Sequence, residues 1–217
     1  MTTFTGSPHI IKGGLVLISP ETSAVERIIT FQYNPDTLTR SFQVKSISSE
    51  GSNRSEAMRL TGPPVETLKL DAEIDAADQL EIADTITVQV GIQPQLAALE
   101  TMIYPTSSQL LANNRLAQSG TLEIAPMETA LTLFIWNKQR IVPVRVTELS
   151  VTEEAFDINL NPLRAKVSLG MRVLSVDDLG FSHKGGSLYM SYQQNKERLA
   201  GMFNGGVLND MGINAIL

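Results

Sequence analysis

The chain has 217 residues, an apolar share of 42%, a charged share of 18% and a formal net charge of −6. That length buries a real core in one domain, or in one domain plus an arm, and the acidic balance argues against uniform attraction to nucleic acid or to an anionic membrane. There is no cysteine, which excludes disulfides, thiolate metal sites and cysteine nucleophiles.

The N-terminus, Met1-Thr-Thr-Phe-Thr-Gly-Ser7, lacks a basic stretch followed by an apolar core, and no apolar run approaches the roughly 20 residues of a membrane span. Synthesis in the cytoplasm without membrane insertion is therefore expected. His9–Ile18 reads as a strand that ends at Ser19-Pro20. An alternating apolar run, Val25, Ile28, Ile29, Phe31 and Tyr33, stops at Asn34-Pro35-Asp36 and resumes at Leu38. Proline cannot donate to a ladder, and Asn and Asp bond back to their own backbone, so this is strand, tight turn, strand. Leu38–Ile47 continues the pattern, Ser48–Ser55 predicts a mobile polar loop, and Gly62-Pro63-Pro64 is a rigid break. Val65, Leu68, Leu70, Ala72 and Ile74 then make another strand.

The middle third changes character. Asp75–Asp84 begins with a residue suited to cap a helix, and Leu96, Leu99, Met102 and Ile103 are spaced as one helix face ending at Tyr104-Pro105. Ser107–Ala117 fits either a short helix or an ordered loop. The last third returns to strands: Thr129–Trp136, a hairpin at Asn137–Arg140, Ile141–Thr152 with Pro143 predicting a sheet edge, a turn-rich Glu153–Pro162, and Ala165–Val173. After Gly185-Gly186, Leu188–Phe203 predicts a helix, followed by a glycine-rich apolar tail. The sum is an α+β, mainly β fold: a β-barrel or sandwich over residues 1–180 with a helical excursion at about 75–117, then a C-terminal helix and apolar arm over 181–217.

Catalytic constellations are lacking. The acidic series Asp71, Glu73, Asp75, Asp78, Glu81 and Asp84 fails as a calcium loop, because counting from Asp71 the sixth position is Ala76 and the twelfth Ile82. It reads as a solvated strand face running into a helix cap, or as a charged surface that meets a partner. His9 and His183 are the only imidazoles and are far apart; there is no Gly-x-Ser-x-Gly elbow and no phosphate loop. An enzyme is not expected, and neither is a cofactor. Arg140, Arg145, Arg164 and Arg172 surround the late strands while acid gathers in the middle, which is either ordinary surface charge or complementary faces on a self-assembling ring. Met190, Tyr192 and Phe203 are either core contacts or a docking surface.

Three segments together resemble the tube-domain family of contractile injection systems. The first is Phe31-x-Tyr33-Asn34-Pro35. The second holds Gly62, Pro63, Pro64, Glu66, Asp75, Asp78, Leu80 and Glu81, then Pro94, Leu96, Leu99 and Glu100, and Tyr104-Pro105. The third holds Glu154, Phe156, Pro162, Arg164 and Ala165. The resemblance implies a baseplate inner-tube protein, or tube initiator, of a phage-tail-like particle: a β-barrel with a helix, six copies joining sheets into a ring. Such a ring sits between a trimeric spike and the inner-tube protein, touches other baseplate subunits and templates the first tube layer. Its inner wall is expected to be polar. Unlike many members, this chain shows no LysM module; the residues after Val176 read as a helix and tail. Leu188, Tyr192, Leu199 and Phe203 are therefore candidates for a docking arm. The rival readings are a main inner-tube subunit, and a free-standing β-sandwich that binds a ligand or metal.

Overall fold

The computed structural model describes residues 10–19, 22–46, 59–119 and 129–216. Its strands are β1 (Gly14–Ile18), β2 (Val25–Thr30), β3 (Leu38–Gln43), β4 (Val65–Asp75), β5 (Leu131–Asn137), β6 (Arg140–Phe156) and β7 (Pro162–Val173). They form one sheet in the order β2–β1–β5–β6–β7–β4–β3, antiparallel at every pairing. Between β4 and β5 come helices α1 (Ala77–Glu81), α2 (Thr85–Val90), α3 (Gln93–Glu100) and α4 (Ser107–Gln118); α5 (Val176–Leu179) and α6 (Lys184–Ala200) follow β7. This is an α+β, mainly β architecture.

Strand parity builds the core. Along β4, Leu68, Leu70 and Ala72 are buried while Lys69, Asp71 and Glu73 are exposed, because successive side chains point to opposite faces. Directly paired residues share a face, so Ala165, Val167, Leu169 and Met171 of β7 join the same side, with Val144, Phe134 and Leu15 continuing across the sheet. Leu96 and Leu99 of α3 and Tyr189 and Tyr192 of α6 close this core. Each fully buried side chain of this size contributes about 1.5–3 kcal/mol. A smaller cluster, Ile18, Leu131 and Leu133, lies on the opposite face of β1 and β5 under Leu179 and Leu188.

The sheet is rolled. β2 is its first strand and β4 its sixth, yet Gln32, two residues beyond β2, donates its side-chain amide to the Asp75 carbonyl (2.8 Å) and accepts from the Asp75 N–H (2.9 Å). The two margins are thus tied by a side chain where a closed barrel has a backbone ladder. The barrel-like expectation takes that form, with the outer edges of β2 and β3 lacking a strand partner among the described residues.

One local expectation is met and several are corrected. The edge expected for part of the Pro143 strand is present: β6 pairs with β5 only over Arg140–Val144 and with β7 only from Val144 onward, which leaves Pro143 beyond the β7 ladder. Its missing N–H points at the place where the β7 ladder stops after Val173, and its carbonyl still accepts from Leu174 N–H (2.9 Å). The helix expected over Asp75–Asp84 is the short α1, which stops where Ala83 takes left-handed backbone (φ 51°); α2 then starts as the Asp84 side chain accepts from Thr87 N–H (2.9 Å). α3 stops at Glu100, which leaves Ile103 exposed rather than on its buried face. Residues 107–118 are helical, held by a Thr106–Gln109 capping box, and bury nothing. The C-terminal helix starts before the glycine pair rather than after it. Gly185 and Gly186 fill its first turn because a Cβ on Gly186 would lie 1.9 Å from the Gly180 carbonyl oxygen. The expected loop at Ser48–Ser55 lies outside the described residues.

Candidate functional site

On the face opposite the core, β3, β4, β7 and the second half of β6 carry mostly polar side chains to solvent, with Phe156 and Val65 as apolar exceptions at the ends and a backbone-only step at Gly170. The register orders them into rungs: Asp75–Arg164–Glu154, Glu73–Lys166–Thr152 and Asp71–Ser168–Ser150, each read from β4 across β7 to β6. Every cation of β7 in these rungs is flanked by acid. Arg164 meets Asp75 at 2.7 Å and Lys166 meets Glu154 at 3.2 Å. At the next rung β7 has Gly170, and Lys69 reaches across it to Glu148 at 3.3 Å. On this face Lys69, Arg145, Arg164, Lys166 and Arg172 balance Asp71, Glu73, Asp75, Glu148 and Glu154. Exposed pairs of this kind add about 0–1 kcal/mol each; their effect is a wettable wall with a cancelled field.

Parts of the three sequence segments meet at one corner of the molecule: Phe31–Pro35, Asp75 with the entry to α3, and Asn161–Ala165. Phe31 is buried in the core. Asn34 donates to the Ile11 carbonyl and accepts from Gly13 N–H, both at 2.9 Å, pinning the segment that leads into β1. Pro35 opens the turn, and Tyr33 is exposed. Asp75 accepts from Ala77 N–H (2.7 Å) and from Arg164 (2.7 Å); the backbone donor first, and then the guanidinium, hold its carboxyl below the usual range. Gly91 N-terminal to α3 packs on Pro162, whose carbonyl accepts from Ile92 N–H (2.9 Å), and Asn161 donates to the Gln89 carbonyl (3.0 Å). Asp157 organises the β6–β7 turn by accepting from Asn159 and Asn161 N–H and from the Asn161 amide, and the Asn161 amide chiefly holds its carboxyl low. Ala165 is fully buried opposite Ile74.

Among the described residues Glu66 is the one buried carboxylate. It shares the core-facing parity of Leu68 and is 3% exposed. Its Oε1 accepts from Arg40 Nε and Nη2 (3.0 and 2.9 Å) and from the Tyr192 hydroxyl (2.9 Å), while Oε2 accepts from Lys196 Nζ (2.9 Å). Burial pushes its pKa up, but the Lys196, Arg40 and Tyr192 donors outweigh this and leave it below the usual range. Burial and the Glu66 charge push the Tyr192 phenol up, so it remains a donor. Lys196 also lies over the Tyr192 and Phe42 rings, at 4.0 and 5.4 Å.

The remaining residues scatter. Gly62, Pro63 and Pro64 bend the chain into β4; a Cβ on Gly62 would meet the Asp177 carboxylate, which binds Lys45 at 2.8 Å. Asp78, Leu80 and Glu81 are exposed on α1, Pro94 stands in the first turn of α3, and Glu100, Tyr104 and Phe156 are exposed. Among the docking-arm candidates, Tyr192 faces the core and bonds Glu66, so it does not belong to an outward arm; Leu188 packs on the smaller cluster, and Leu199 and Phe203 are exposed. Gln32, Arg40 and Lys196 were missed by the sequence reading. Parity alone marks Glu66 as inward and so in need of cations. Among the described residues no group of His, Asp or Glu could hold a metal ion, and no helix is long and apolar enough to cross a membrane.

No protein-family model matches the chain, and no curated protein matches it. Among solved structures it is similar to a chain in the tail of an empty gene transfer agent particle with C6 symmetry, at 11% identity over 75% of this chain and 90% of that one, with a TM-score of 0.29. It is also similar to a chain in the virion of a native gene transfer agent particle, at 12% identity over 74% and 90%, with a TM-score of 0.26. Likeness at this level does not define a function.

Proposed function

We propose that the chain is a structural, non-enzymatic subunit of the inner tube at the baseplate of a contractile, phage-tail-like particle. Copies join margin to margin into a ring, six by the family resemblance, between a trimeric spike and the inner-tube protein, and the ring templates the first tube layer. The observation that carries this reading is the polar, charge-balanced sheet face flanked by margins without a strand partner. A free edge is an aggregation hazard in a lone subunit, and ring closure removes it. A wall of cancelled charge lets material of either sign pass without sticking. Parts of the three segments, namely Phe31–Pro35, Asp75 and Asn161–Ala165, converge on the corner where Gln32 ties the sheet, which supports a role in shaping the wall.

The chain has no cysteine, so cysteines placed at Ile28 of β2 and Ser41 of β3 report directly on the margins. The expected result is an oxidation-dependent ladder that ends at one closed ring size, and monomers at every margin pair would overturn ring formation. In the producing bacterium, deletion of the gene is expected to leave particles without attached tubes by negative-stain electron microscopy, restored by the gene in trans. Normal contractile particles would overturn the baseplate role.

A further inference from the structure

A surface notch of about 200 Å³ opens where the β5–β6 hairpin, β3 and α6 meet, lined by Asn137 and Arg140, Arg40, and Tyr192, Asn195 and Lys196. Its walls are fixed. Asn195 donates to the Gln139 carbonyl (2.8 Å) and accepts from Arg198 (2.7 Å), which ties helix to hairpin. Arg40 and Lys196 share the Glu66 carboxylate behind them. Arg140 is different: among the described residues it makes no ion pair and no side-chain hydrogen bond, and its charge acts on the Tyr192 phenol. Asn137 uses its side-chain oxygen to accept from Gln139 N–H (2.9 Å). Three cations therefore face one carboxylate, in a space the size of a small anion.

We infer that this notch is a carboxylate-binding site, with Arg140 as the residue that takes the anion. The guanidinium fork matches the two oxygens of a carboxylate, and only Arg140 has its fork uncommitted. The three cations outnumber the Glu66 carboxylate, so the notch keeps a net positive charge that attracts an anion. The carboxylate is borne either by a second copy of this chain or by another molecule. The site is independent of the tube reading, since it is complete within one subunit.

The test uses the full chain. Acetate titrated into isotope-labelled protein is expected to give saturating NMR shifts confined to Asn137, Arg140, Asn195, Lys196 and their neighbours, weakened roughly tenfold or more in Arg140→Gln, which loses a charge-assisted pair. Arg140→Lys keeps the charge without the fork and is expected to fall between the two. Because Arg140 has no ion-pair or side-chain hydrogen-bond partner to lose among the described residues, thermal melting of both variants should match the parent. Shifts that do not saturate, or that persist unchanged in Arg140→Gln, overturn the site. Sedimentation velocity of Arg140→Glu then assigns the source: weakened self-association places the carboxylate on a second copy, and unchanged self-association places it on another molecule.

Discussion

The side chain of Gln32 stands in for a peptide group against Asp75, donating to its carbonyl at 2.8 Å and accepting from its N–H at 2.9 Å. This pair joins the segment after the first strand of the sheet to the end of the sixth, beside Arg27, which donates to the Ala98 carbonyl and the Thr101 hydroxyl and holds β2 against α3. Replacing Gln32 with Ala leaves both Asp75 backbone groups without that partner in a half-buried setting. We expect a loss of about 1–3 kcal/mol, read by urea unfolding, with the margin cysteines at Ile28 and Ser41 cross-linking less efficiently as the curvature relaxes. Unchanged stability would mean that the amide follows the curvature and does not set it.

Glu66 predicts an acid response. Its folded pKa lies below the ordinary value, so its contribution is fully present above the usual carboxylate range and is lost as pH falls through the lower folded value. Glu66→Gln leaves Arg40 and Lys196 uncompensated beside the core. Those cations are partly solvated, at 27% and 31% side-chain exposure, so the cost falls short of a fully buried pair, at about 2–4 kcal/mol. Chemical denaturation at neutral pH and across the acid range should show a lower plateau and a flatter acid slope for the variant.

Gly91 has φ +61° and its Cβ position lies 2.2 Å from the Pro162 carbonyl oxygen. Gly91→Ala meets both backbone strain and a collision with main chain that cannot rotate away. A loss of about 2–4 kcal/mol is expected, measurable as a drop in Tm. Near-parent stability would mean that the β7 entry and the α2–α3 joint can separate at little cost.

Truncation separates the helix from the tail. Ending the chain after Ala200 removes residues that are exposed throughout their described part, and thermal stability should match the parent. Ending it before Leu188 removes Tyr189, Tyr192 and Lys196, opening the main core and stripping two donors from Glu66. That shorter chain is expected to lose cooperative unfolding in calorimetry. A fully cooperative transition would return the helix to the role of a detachable arm.

Much of the sheet was legible because parity is a local property. The alternation at Leu68, Leu70 and Ala72 and at Ala165, Val167 and Leu169 announces both the strands and their faces. The same counting turns Glu66 inward, but nothing local announces that Arg40 and Lys196 would meet it, since they arrive from a neighbouring strand and a distant helix. Gln32 was hidden for a related reason: an amide that replaces a ladder bond has no periodic signature. Pro143 was legible because the rule it follows concerns one N–H, and that N–H points past the end of the β7 ladder, where part of β6 is open. The glycine pair at 185–186 read as a break, whereas close contact with Gly180 and Leu179 makes small residues a condition of the helix start.

Helix α4 has 12 residues, begins with a reciprocal cap and buries none of its side chains. A segment of that length gains little helicity from propensity alone, and it returns almost nothing to the stability of the body it is attached to. Sequence change along it is consequently uncoupled from folding: Leu110, Leu111 and Leu116 can be exchanged by drift or selection while the sheet keeps its shape. Related chains would be able to diversify this stretch freely, adjusting what they touch without altering what they are.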